Sequence, residues 1–268
     1  MPKIIDKINS FRKKQKRVVN IDEIPDLETI DESKQQRSNN LKDESIGNYL
    51  PKGPKECYYS FEFFPPKTEA GLDNLLTRID RMSTRLDPLF IDVTWGESGS
   101  TSARSMAIAA HAQRYCGVDV LLHLTCTGIT RAQLDAVLKQ AKSHGVQNIL
   151  ALRGDPPRGK RSWCNGDISG GECDRAIDLV RFIRQEYGDY FCIAVAGHPE
   201  HHPASQSEDQ ELNHLREKVD AGADFIITQF FYDADLFLTY VRRCRSIGIT
   251  CPILPGILPM YVQDLADL

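Results

Sequence analysis

Glu62 stands near the end of the run Tyr59-Ser60-Phe61-Glu62-Phe63-Phe64, which Pro65 and Pro66 terminate. Strand alternation puts Phe61 and Phe63 on one face and Ser60, Glu62 and Phe64 on the other, so the acid shares its face with an aromatic ring. A carboxyl desolvated by such a neighbour keeps its proton to higher pH, which suits a proton donor near neutrality. The plain alternative is a strand-end glutamate paired with a basic residue.

Three further clusters could bind or react. The apolar run from Asn148 to Leu152 ends in Arg153-Gly154-Asp155. There glycine permits close backbone approach, and the flanking residues offer a donor and an acceptor to a planar polar ligand, or pair with each other across the turn. Gly197-His198-Pro199-Glu200-His201-His202-Pro203 brings three histidines close together, as a metal site would. The prolines restrict the backbone and no Cys or Asp stands at ligand spacing, so a loop that hydrogen-bonds a cofactor fits better than a metal site. Asp224-Phe225-Ile226-Ile227-Thr228-Gln229 leads into Phe230, Phe231 and Tyr232. Gln229 can donate and accept together, as a heteroaromatic edge requires, and the rings can stack on a flat ligand or simply pack a core.

These clusters need a scaffold that presents polar residues from many strand ends. From Tyr58 onward, apolar runs beginning near Tyr58, Leu89, Val120, Asn148, Phe191, Asp224 and Cys251 alternate with patterns of helical period, such as Leu72, Leu75, Leu76, Ile79 and Met82. Repeated βα units predict an α/β protein with a parallel sheet buried on both sides. The strand ends read Glu62, Thr94-Trp95, Thr125, Arg153-Gly154-Asp155, Gly197-His198, Gln229 and Pro255-Gly256, and no G-x-G-x-x-G follows any strand. That favours a TIM-type (β/α)8 barrel over an open doubly wound sheet. Seven strands are legible, so the barrel is expected to lack its eighth strand and to leave an unpaired edge.

Composition narrows the function. At 268 residues, 41% hydrophobic, with a net charge of −4, the chain reads as globular, with no basic field for nucleic acid and no run able to span a membrane. Without an apolar leader it is expected in the cytoplasm. The eight cysteines never form C-x-x-C, which suits reduced thiols. Residues 1–56 hold only two aromatics, Phe11 and Tyr49, among many charged and amide residues, and read as a disordered polar tail ahead of a barrel domain at 57–268.

Phe61-Glu62-Phe63-Phe64-Pro65-Pro66-Lys67-Thr68, Asp92-Val93-Thr94-Trp95-Gly96, His123-Leu124-Thr125-Cys126, Leu152-Arg153-Gly154-Asp155-Pro156 and Ala221-Gly222-Ala223-Asp224-Phe225-Ile226-Ile227-Thr228-Gln229 together resemble the methylenetetrahydrofolate reductase family, in that family's order. The resemblance implies an FAD-dependent barrel in which NADPH or NADH reduces the flavin and the flavin reduces 5,10-methylenetetrahydrofolate to 5-methyltetrahydrofolate. It implies that Glu62 is the general acid, that Asp155 lies by flavin and folate, and that Gln229 contacts folate. Thr94, Trp95, His123, Arg153, Gly154, Ala176, His202, Pro203, Ala204, Ser205 and Lys218 fall at positions that resemble FAD contacts. Three further cofactor positions depart from the family pattern: His198 stands where a tyrosine is usual, Arg175 where an aromatic is usual, and Glu211 where an aspartate is frequent.

After Pro259 the sequence no longer resembles the family, so a C-terminally truncated barrel is expected. Besides an active reductase, alone or as a homo-oligomer, that leaves two readings. One is a non-catalytic product that associates with a full-length reductase, and the other is a different flavin-dependent barrel oxidoreductase.

Overall fold

In the computed structural model the described residues are 3–14, 58–95, 102–154, 173–202, 205 and 207–259. Short apolar runs become the strands β1 (Ser60–Phe63), β2 (Phe90–Val93), β3 (Val120–Thr125), β4 (Asn148–Leu152), β5 (Cys192–Gly197), β6 (Phe225–Phe230) and β7 (Ile253–Gly256). Every residue of β2 and β3 is buried, as central strands covered on both faces must be. The helices are α1 (Ile4–Lys14), α2 (Glu69–Leu86), α3 (Ser102–His111), α4 (Arg131–Ser143), α5 (Ala176–Tyr187), α6 (Glu208–Asp220) and α7 (Ala234–Ser246).

Local chemistry sets their ends. Thr68 accepts from the amide of Gly71 to start α2, Thr130 and Gln133 form a reciprocal capping box at α4, and Asp233 accepts from the amides of Asp235 and Leu236 at α7. A π-helical turn, Ala112–Cys116, extends α3 and stops at Gly117, whose φ of +65° suits glycine.

The seven strands lie in chain order, β1 to β7, and all six neighbouring pairs are parallel. This is the incomplete TIM-type barrel expected from the strand ends; among the described residues the sheet is not closed between β7 and β1. Its outer face packs Phe63, Ile91, Val93, Leu122, Leu124, Ile149, Ile193 and Val195 against Ile79, Met106, Leu134, Leu138 and Ile183 of the helices.

The inner face differs between its two ends. At the N-terminal end Phe90, Leu121, Leu150, Cys192, Ala194 and Phe225 form a second apolar cluster, into which Ile4 and Ile8 of α1 insert with no exposed surface. The expected polar tail is thereby corrected over 4–14: those residues form a helix that plugs the bottom of the barrel. Residues 15–56 lie outside the described residues. The reason is spacing: Ile4 and Ile8 lie one helical turn apart on one face, and burying each contributes on the order of 1.5–3 kcal/mol. Side-chain bonds fix the plug. Asn148 Oδ1 accepts from the Ile4 amide at 3.0 Å, and Lys7 Nζ lies 2.5 Å from Asp119 Oδ2.

Candidate active site

At the opposite, C-terminal end, the inner face turns polar. Glu62, Asp92 and His123 come from the adjacent strands β1, β2 and β3; Glu62 and Asp92 are register partners, and His123 Nε2 lies 3.7 Å from Asp92 Oδ1. Asp92 and His123 are 4% and 7% exposed. Glu62 opens to solvent at the mouth, yet its surroundings raise its carboxyl above the ordinary value, through desolvation first, opposed by the charge of His123 and aided by that of Asp92. The expected aromatic neighbour is not the cause. Phe64 lies beyond the end of β1 and is 71% exposed, because the two prolines turn the chain away from the sheet.

Thr94 and Trp95 follow β2, with Trp95 buried. Arg153 and Gly154 follow β4; Gly154 has φ +100°, and a Cβ there would meet Thr125 Cβ at 3.2 Å, so only glycine fits this turn beside β3. Burial, followed by the charge of Arg175, lowers the affinity of the Arg153 guanidinium for its proton. Arg175 itself is exposed at the start of α5, and Ala176 is the first, half-buried residue of that helix. Asp155, Pro203 and Ala204 lie outside the described residues.

A second polar group gathers after β5. His198 Nδ1 lies 3.1 Å from Glu211 Oε1, His201 Nδ1 3.0 Å from Glu211 Oε2, and the His202 amide donates to Glu211 Oε2 at 2.9 Å. Burial pushes the Glu211 carboxyl up, but the hydrogen bonds from His198 and His202 and the histidine charges outweigh it and hold it below the ordinary value. Two of the positions that depart from the family pattern, His198 and Glu211, thus face each other. The rings of His198 and His202 meet edge to face at 4.6 Å, and burial, then the charge of His198, lowers the His202 imidazole. Lys218 Nζ reaches in from α6 to donate to the Ala196 carbonyl at 2.8 Å, and burial pushes its ammonium down to about 8. Ser205 is half-buried, and its hydroxyl donates to the Ser207 carbonyl at 3.3 Å. Among the described residues no group of three or more His, Cys, Asp or Glu could hold a metal ion.

Gln229 stands on the far side of the mouth, exposed, where the pairing of β6 with β7 is irregular between Ile227 and Phe230. Its aromatic neighbours divide: Phe231 is buried and stacks on Phe237 at 4.7 Å, while Phe230 and Tyr232 stay open at 40% and 52% exposure. Sequence reasoning quoted Asp92 within a motif and assigned it no role. Its signal was a lone acid inside the apolar strand Phe90-Ile91-Asp92-Val93.

The fold and this mouth define a parallel (β/α) barrel protein with its polar residues gathered at the C-terminal ends of the strands, where barrel enzymes place their chemistry. The chain belongs to the methylenetetrahydrofolate reductase family, whose profile matches residues 49–266. It is 50% identical over 218 residues to methylenetetrahydrofolate reductase (NADH) 1 of Zea mays, covering 78% of this chain and 36% of that protein. It is 48% identical to methylenetetrahydrofolate reductase 1 of Schizosaccharomyces pombe, covering 80% and 35%. With 5,10-methylenetetrahydrofolate reductase of Salmonella typhimurium it shares 38% identity, covering 81% and 69%. The chain therefore spans about a third of the length of its eukaryotic relatives. Among solved structures, a Clostridium thermocellum protein described as binding two copies of 5-methyl-5,6,7,8-tetrahydrofolic acid has the same fold, with a TM-score of 0.55 at 14% identity, covering 78% of this chain and 68% of that one. Among the described residues no helix is long and apolar enough to cross a membrane.

Proposed function

We propose that this chain carries the flavin-dependent barrel of a methylenetetrahydrofolate reductase, using NADPH or NADH to reduce 5,10-methylenetetrahydrofolate to 5-methyltetrahydrofolate in one-carbon metabolism. The observation that carries the proposal is Glu62, held on the inner face at the mouth with its carboxyl raised by desolvation. The family of the chain and the folate named for the C. thermocellum protein support the same reading.

The mouth fits a polar planar cofactor. Trp95 Nε1, His123 Nε2 and Thr125 Oγ1 are buried with no hydrogen-bond partner, as atoms awaiting a ligand would be. Thr94, Trp95, His123, Arg153 and Gly154 would hold FAD from one side, with Ala176, His198, His202, Ser205, Glu211 and Lys218 from the other; Asp155, Pro203, Ala204 and Arg175 complete the assignment taken from the family. When bound, FAD supplies the two-electron chemistry between nicotinamide and folate. The protein's part is to bind, orient and protonate. Glu62 gives its proton to the amine nitrogen that leaves as the imidazolidine ring opens, so that the iminium carbon becomes the hydride acceptor. Gln229 donates to and accepts from the pterin edge. None of the six described cysteines is in a disulfide, which supports a reducing, cytoplasmic setting.

The test is the visible spectrum of the purified chain, followed by anaerobic NADPH or NADH and then methylenetetrahydrofolate. Flavin bands that bleach with the nicotinamide and return with the folate are expected. Oxidation of nicotinamide with no response to folate would indicate a different barrel oxidoreductase. A second reading, association with a full-length reductase, is favoured by the β1 and β7 edges, unpaired among the described residues, and by Ile257 and Leu258 just after β7, 73% and 48% exposed. A colourless chain that co-purifies with a full-length reductase would establish it instead.

A further inference from the structure

The mechanism uses Glu62 and His123 and leaves Asp92 without a task. Asp92 is an acid on the inner face of a strand whose other residues are apolar, and it is 4% exposed. Among the described residues its one ion-pairing neighbour is His123, with Nε2 at 3.7 Å, beyond hydrogen-bond length and within reach of its field. Its register partner on β1 is Glu62, so the two acids stand side by side on neighbouring parallel strands whose backbones run about 4.8 Å apart. A negative charge beside a carboxyl opposes its ionisation, so the neighbour on β2 helps to raise Glu62. The Asp92 charge opposes ionisation of Glu62 at the mouth, while that of His123, which sits against Asp92, favours it.

We propose that Asp92 is a positioning residue for the reaction: its charge, set beside Glu62 on the neighbouring strand, keeps on Glu62 the proton that the folate receives. Asp92 from β2 and His123 from β3 are the described titratable groups whose charges reach Glu62, and they act in opposite directions. Removing the Asp92 charge therefore lets Glu62 ionise at lower pH. The inference rests on the reductase reading for the identity of the proton acceptor.

The experiment is Asp92→Asn in the full chain loaded with FAD, with each half-reaction followed against pH. The folate-dependent step requires protonated Glu62 and fails as pH rises through its titration. Its alkaline limb is expected to move down by about 0.5–1 pH unit, the size of a single neighbouring charge. Flavin reduction by NADH should stay within about twofold of wild type, and Asp92→Glu should restore the limb. An unmoved or raised limb, or a parallel loss of both half-reactions, would overturn the proposal in favour of a merely structural acid. A second readout needs neither flavin nor turnover. Infrared titration of the wild-type chain should show one protonated carboxyl band persisting above the ordinary carboxyl range and absent from Glu62→Gln. No such band in wild type overturns the proposal even if Asp92→Asn does not fold. The two failures are separable: Glu62→Gln with full folate reduction sinks the reductase reading, whereas an inactive Glu62→Gln with an unmoved Asp92→Asn limb sinks only the role of Asp92.

Discussion

The two ends of the barrel are built from the same strands and do opposite things. At the N-terminal end Phe90, Leu121, Leu150, Cys192 and Phe225 point inward and are covered by Ile4 and Ile8 of α1, so the interior there is a filled core. Two to four residues further along β2 and β3, Asp92, His123 and Thr125 point inward beside Glu62 of β1, and buried polar atoms of His123 and Thr125 have no hydrogen-bond partner among the described residues. At one end Asn148 satisfies the Ile4 amide; at the other these two atoms have no hydrogen-bond partner among the described residues. The difference teaches that stability and chemistry are separated along the strand axis, so substitutions at the two ends should fail in different assays.

The strongest test of that separation is Glu62→Gln. The folate-dependent half-reaction should fall by about 10²- to 10⁴-fold, the usual contribution of a positioned acid, while flavin reduction by NADH persists. The fold should gain rather than lose. An acid whose folded value is raised takes up protons on folding, so its effect on stability worsens as pH rises from the ordinary carboxyl range through the folded value. Glu62→Gln should therefore melt higher than wild type at pH 8 and equally at pH 4; a lower melting temperature at pH 8 would contradict the desolvated site.

Ile8→Ala, at the other end, is expected to remove about 2–5 kcal/mol of stability in urea unfolding, with flavin reduction per folded molecule unchanged. A loss of catalysis at full stability would break the comparison. Smallest is Lys7→Ala, which removes the partner of Asp119; Lys7 is a third exposed, so the loss should be about 1 kcal/mol and should shrink in high salt.

Much of this was legible in the sequence because each strand changes hydrophobic period at its ends. The starts expected near Val120 and Asn148 coincide with β3 and β4, and those near Tyr58, Leu89, Phe191, Asp224 and Cys251 fall one or two residues early. That Glu62 lies on the face opposite Phe61 and Phe63 followed from alternation in a single strand. Which charges act on it did not, since Asp92 and His123 are 30 and 61 positions away and arrive only through strand pairing. The pairing of His198 and His201 with Glu211 across the β5–α6 connection is likewise a contact of tertiary structure. So is the helix α1, whose Ile4 and Ile8 are too few to mark a fold within a polar segment until the floor of the barrel receives them.

The sequence by itself determined the alternation of strands and helices, the parallel barrel and the identity of the polar strand ends, because these depend on periodicity and chain order. Only the tertiary structure decided which acids share a field, which histidines share a carboxylate and which end of the barrel is filled, because electrostatic coupling and burial depend on distance across strands, and register sets that distance.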